Sequence, residues 1–190
     1  MTKTNTRSRI VSILLVLVML LTMVPITAVT ANAADGSEGN PLMVSTYEDW
    51  KAAMQQSGET YIKLGADIDT STMNSGLGLG SSEEVRVQTD IHLDLNGHKL
   101  TLLKSKLTSG DPSYLILVLK GSLTIKDSRS GGEIVGLHQV TSQRMQLIDV
   151  GKGAKLTLNS GKLSFVVNAE SIPSNATIRC AGTVEINDGT

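Results

Sequence analysis

The stretch Leu93-Asp94-Leu95-Asn96-Gly97 returns along the chain, altered in detail but constant in pattern. Ile62-Lys63-Leu64 runs into Gly65, Leu123-Thr124-Ile125 into Lys126-Asp127, Leu156-Thr157-Leu158 into Asn159-Ser160-Gly161, and Val184-Glu185-Ile186 into Asn187-Asp188-Gly189. The five triplets begin 31, 30, 33 and 28 residues apart. Each alternates apolar, polar, apolar and then meets a turn former, which is the pattern of a short strand with one buried face. A recurring unit of this length predicts a solenoid rather than a closed globule.

Further strands fit between the triplets. Leu100–Leu102, Glu133–Val135 and Leu163–Val167 follow the turns, and Leu115–Leu119, Leu147–Val150 and Thr177–Cys180 precede the next triplet. That makes about three short strands per repeat with polar corners, so the expected fold is all-β, a right-handed parallel β-helix. An antiparallel sandwich also spaces its strands evenly, but it needs no common fingerprint at every third strand. Aligning the triplets puts Leu117 with Ile148 and Ile178, and Leu119 with Val150 and Cys180, on one strand face expected to form the core. Cys180 is then expected to be a small buried hydrophobe.

Upstream, Ser45 and Glu48 have the spacing of a capping box, and Tyr47, Trp50, Ala53 and Met54 fall on one helical face before Gly58. A helix over residues 45–57 is expected to cover the open first coil, whose strand edges would otherwise invite aggregation. Residues 34–44 are small, polar and turn-prone and read as a linker. The β-helix domain is therefore expected over residues 45–190. The chain stops in mid-repeat at Thr190 with no visible cap, so the domain is expected to be C-terminally incomplete and part of a longer multidomain chain.

The N-terminus sets the compartment. Lys3, Arg7 and Arg9 precede an apolar run from Ile10 to Val24, and the stretch closes on Ala31-Asn32-Ala33. These are the three parts of a secretory signal peptide, cleaved after Ala33. The apolar run is shorter than the roughly 20 residues of a spanning helix, so no membrane insertion is expected once the signal is removed. The mature chain keeps 14 of the 17 Lys and Arg against all 18 Asp and Glu. An acidic balance without a basic cluster, and only five aromatic residues, argue against nucleic acid. Cys180 stands alone and cannot form an intrachain disulfide.

Leu93-Asp-Leu-Asn-Gly-His-Lys-Leu-Thr101 resembles a phrase of secreted and cell-surface proteins of Gram-positive bacteria. Gly121-Ser-Leu-Thr-Ile-Lys-Asp-Ser128 with Gly132-Glu-Ile-Val-Gly136, Tyr61-Ile-Lys-Leu-Gly-Ala-Asp-Ile68 and Gly182-Thr-Val-Glu-Ile-Asn187 are similar to other phrases of the same pectate-lyase-like β-helix repeat domains. The resemblance spans about residues 45–190. It implies the fold and a secreted or surface-attached location. Lyases of this superfold carry calcium-binding carboxylates on neighbouring coils with a basic residue nearby. No positions here match that set, so no catalytic residue is assigned.

The most suggestive cluster is Asp90, His92, Asp94 and Asn96. Alternation puts the four on one strand face opposite Ile91, Leu93 and Leu95, with neighbours about 7 Å apart, close enough to share a sugar hydroxyl or a cation. They are the candidate binding residues. No metal site or cofactor is assigned, and a cation on this oxygen-rich face would be calcium. Asp94, Asp127 and Asp149 lie on successive repeats and are the candidates for a glycosidic acid pair. His98 and His138 read as isolated. Asn175-Ala176-Thr177 matches a glycosylation acceptor, and Gly76–Gly80 reads as a flexible loop.

The leading expectation is a non-catalytic, adhesin-like extracellular module whose polar face binds a polysaccharide or a host or cell-surface glycoprotein. A polysaccharide lyase or glycosidase with its catalytic coils beyond Thr190, or a structural stalk, are the alternatives.

Overall fold

A computed structural model describes residues 34–73, 84–104, 114–138, 145–167 and 176–190. Residues 1–33, expected to be a signal peptide, the Gly76–Gly80 stretch and Asn175 lie outside them. Fourteen short strands occur among the described residues, and all their ladders are parallel. They stack into three sheets.

The first sheet holds β1 (Leu42–Val44), β2 (Thr60–Leu64), β5 (Ile91–Asp94), β8 (Ser122–Lys126), β11 (Lys155–Leu158) and β14 (Thr183–Ile186) in that order. The second holds β3 (Ile68–Asp69), β6 (Lys99–Lys104), β9 (Glu133–His138) and β12 (Lys162–Val167). The third holds β4 (Val85–Val87), β7 (Tyr114–Val118), β10 (Gln146–Val150) and β13 (Ala176–Cys180). From β2 to β13 successive strands go to the three sheets in turn, with β1 ahead of them and β14 after, so the protein is a parallel β-solenoid.

Like residues stack because each coil repeats the one below it. Ile62, Leu93, Ile125 and Leu158 form one inward column, and Ile91, Leu123 and Leu156 another. All seven are essentially inaccessible to water. Burying a branched side chain of this size contributes about 1.5–3 kcal/mol, and the columns make one continuous core.

The register corrects the triplet alignment. Leu93 pairs with Ile125, and Leu123 with Ile91, so the third triplet starts two register positions earlier than the second. A two-residue slip keeps every side chain on its face, which is why the triplets still identify the core. In the third sheet the error is one residue and reverses the face. Ile116 and Val118 pair with Ile148 and Val150 and are buried, whereas Leu117 is half-buried and Leu119 is exposed. Cys180 pairs with Val150 in the inward column, yet it is exposed. The last rung has no described rung above it, and Ile186 on the neighbouring strand is 57% exposed for the same reason.

The helix α1 (Tyr47–Met54) packs on β1, β2 and β4 at the first coil. Its cap is Thr46 rather than Ser45. The Thr46 hydroxyl accepts the Asp49 N–H at 3.2 Å and donates to the Asp49 carboxylate at 2.7 Å. The same i, i+3 logic operates one residue later, satisfying an orphan N–H of the first turn. The helix ends at Met54, short of Gly58, with the Gln55 N–H closing on the Ala52 and Ala53 carbonyls. Tyr47, Trp50, Ala53 and Met54 are buried as its periodicity requires. The stretch read as a linker ends in structure, since Leu42–Val44 is the strand β1.

Candidate functional site

The four polar residues of the Asp90–Asn96 stretch part company in the structure. Only His92 and Asp94 lie in the strand with outward side chains. Asp90 precedes it and accepts the Ser122 hydroxyl at 2.8 Å. Asn96 sits in the following turn at φ +52°, buried, with its amide donating to the Leu64 carbonyl of the coil below at 2.9 Å. The alternation breaks there because the chain turns a corner after Asp94.

That corner explains the repeated acids. Asp94 Oδ1 accepts the N–H groups of Asn96 and of Ser128 one coil on, both at 2.9 Å. Asp127 Oδ1 accepts the Gly97 N–H at 2.6 Å, and its Oδ2 the Gly132 N–H at 2.7 Å. Asp67 Oδ1 accepts the Lys99 N–H at 3.0 Å. Each carboxylate staples its own coil to a neighbour through backbone donors that a corner leaves unpaired. Burial pushes the Asp94 carboxyl up, but the bonds from Ser128 and Asn96 and the nearby Lys63 outweigh it, so its pKa lies below the usual value. Asp67 is also held down, first by the Lys99 N–H and then by His98. Asp149 lies in another sheet, paired with Arg179 at 3.4 Å. The three candidate acids therefore do not converge on one groove.

His98, which the sequence left isolated, has a partner: its Nδ1 lies 3.1 Å from Asp67 Oδ1. His138 is buried at the end of β9, and neither ring nitrogen has a hydrogen-bond partner among the described residues. Its ring stacks near Phe165, and burial lowers its pKa. Among the described residues, no group of three or more His, Cys, Asp or Glu side chains is placed to hold a metal ion.

The outward face of the first sheet is where the remaining polar groups gather. Tyr61 and His92 occupy the same register position on adjacent coils, and Thr124 follows them. The two rings stack with centroids 4.1 Å apart and planes 5° from parallel. Glu59 Oε1 fixes both, accepting the Tyr61 hydroxyl at 3.1 Å and lying 3.0 Å from His92 Nε2. Partial burial and this bond to Glu59 raise the Tyr61 pKa.

Two residues along each strand runs a second column, Lys63, Asp94 and Lys126. Lys63 Nζ lies 3.8 Å from Asp94 Oδ2. Between the columns is a shallow depression of about 250 Å³, lined by Tyr61, Lys63, His92, Asp94 and Lys126 and closed at one end by Glu38 and Pro41. One wall is a pair of stacked rings and the other a row of alternating charge. Reading along the sequence finds His92 and Asp94, but Tyr61, Lys63 and Lys126 join them only through the coil register. The alternation Tyr61-x-Lys63, His92-x-Asp94, Thr124-x-Lys126 is the signal that would have found them.

No known protein family, curated protein or solved structure matches the chain.

Proposed function

We propose that this protein is a non-catalytic extracellular module, adhesin-like and of the pectate-lyase-like kind found in Gram-positive bacteria, that binds glycans in the groove on β2, β5 and β8. The carrying observation is the groove itself, with the mutually stacked Tyr61 and His92 rings on one side and hydrogen-bonding charges on the other. Sugar-binding sites combine apolar ring contacts with a few polar groups that fix orientation. The signal-peptide pattern of residues 1–33 and the β-solenoid support an extracellular role.

The state of the carboxylates favours binding over turnover. A glycosidic general acid needs a raised pKa, and a retaining pair needs two carboxyls facing one bond. Asp94 is instead held below its ordinary value, with one oxygen spent on two backbone N–H groups.

Incubating the purified protein with plant, host and bacterial polysaccharides, with and without calcium, tests the reading. The expected result is retention on one or more of them, with no release of reducing or unsaturated ends. Release of such ends would assign the protein to the lyases or glycosidases.

A further inference from the structure

The groove carries two charges that make no ion pair among the described residues. Asp94 is matched by Lys63 across adjacent coils, so the middle of the charged wall is internally balanced. Lys126 at the β8 end is exposed and makes no ion pair among the described residues. Glu38 at the opposite end is likewise exposed and unpaired, near enough to Tyr61 for its charge to raise that hydroxyl's pKa. The two ends are separated by about three rungs, on the order of 14 Å at the inter-strand spacing of a sheet. The charges that line the groove, Glu38, Lys63, Asp94 and Lys126, thus sum to zero and are polar along its length, while Glu59 stands outside the lining, bonded to Tyr61 and His92.

We infer that its ligand is an amphoteric glycan, one carrying free amino groups as well as acidic ones. An ammonium would lie against Glu38 and a carboxylate or other anionic group against Lys126, with pyranose rings along the Tyr61–His92 wall. The assignment rests on the glycan reading above and sharpens it. A purely acidic chain meets Glu38 with like charge, and a purely basic one meets Lys126, so each loses at one end what it gains at the other. A neutral glycan leaves both charges solvated and gains from neither.

Tetrasaccharides of matched length separate the possibilities by calorimetry on the purified protein. A de-N-acetylated heparosan tetrasaccharide alternates glucosamine with glucuronic acid. Its N-acetylated parent is acidic only, a chitosan tetramer basic only, and a chitin tetramer neutral. The amphoteric tetramer is expected to bind at least about tenfold more tightly than the other three, with the margin shrinking at high salt because both charges are exposed. Glu38→Gln should abolish the advantage over the N-acetylated parent, and Lys126→Gln the advantage over chitosan. Both side chains are on the surface, so unchanged thermal unfolding will confirm that each variant is folded. Equal binding of all four tetramers, unmoved by either substitution, overturns the amphoteric assignment and leaves glycan binding standing. Binding of none, in a protein that also retains no polysaccharide, overturns the glycan reading itself.

Discussion

Tyr61 and His92, 31 positions apart in the chain, lie ring on ring because the coil register makes them neighbours. Glu59 holds the pair from the side. A stack braced in this way is a rigid wall, and rigidity lowers the ordering cost of binding.

The stack predicts coupled loss of binding. Tyr61→Ala and His92→Ala should each weaken glycan binding by about 5- to 10-fold, and the double variant should lose little more than either single one. Glu59→Gln should weaken binding less and leave the fold intact. Additive losses, read by titration calorimetry, would mean that the two rings act separately.

Gly136 predicts a packing constraint. It lies in the inward column between Leu102 and Phe165, and a Cβ there would come within 2.5 Å of the Phe165 ring. Gly136→Ala should cost about 1–3 kcal/mol by overpacking. Adding Phe165→Leu should recover part of that loss. Urea unfolding of the two variants measures it.

Asn96 separates backbone strain from a side-chain bond. Its φ of +52° is adverse for most residues, and its amide satisfies the buried Leu64 carbonyl. Asn96→Ala loses both advantages and should cost about 2–3 kcal/mol. Asn96→Gly keeps the turn conformation and should cost roughly half as much. Equal losses in denaturant unfolding would show that the bond to Leu64 alone matters.

Acid should act in two windows. The folded pKa of Asp67, Asp94 and Glu133 lies below the ordinary value, so their contribution is complete above it and is lost as pH falls through the folded values. His138 is also lowered, by burial, from an ordinary value of 6.5. The unfolded chain therefore takes up that proton first, and stability begins to fall as pH drops below about 6.5. His138→Leu should flatten the upper window of a plot of Tm against pH, and Asp94→Asn should reduce the slope of the lower one.

The sequence revealed the repeat, the cap helix and the strand-turn rhythm because these are local. Apolar alternation marks Leu93 and Leu156 wherever the neighbouring coil sits. Pairing is not local. The triplet rule placed Leu123 two residues out of register and Leu117 on the wrong face, since neighbouring apolar residues such as Ile116 and Leu117 give no sign of which one points inward. Two of the four proposed binding residues line the groove. Asn96 reads as a surface group in sequence because a turn amide reaching down to the coil below has no signature in its own stretch of chain. Lys63 and Lys126 carry no sequence signal for the converse reason: each is an ordinary surface lysine until Asp94 is placed between them.

The most direct test of glycan binding in this groove is amide chemical-shift mapping of the isotope-labelled protein titrated with a tetrasaccharide it binds. Saturable shifts are expected to concentrate at Tyr61, Lys63, His92, Asp94 and Lys126 and to be lost in Tyr61→Ala. Shifts centred on the second or third sheet, with this face silent, would contradict it.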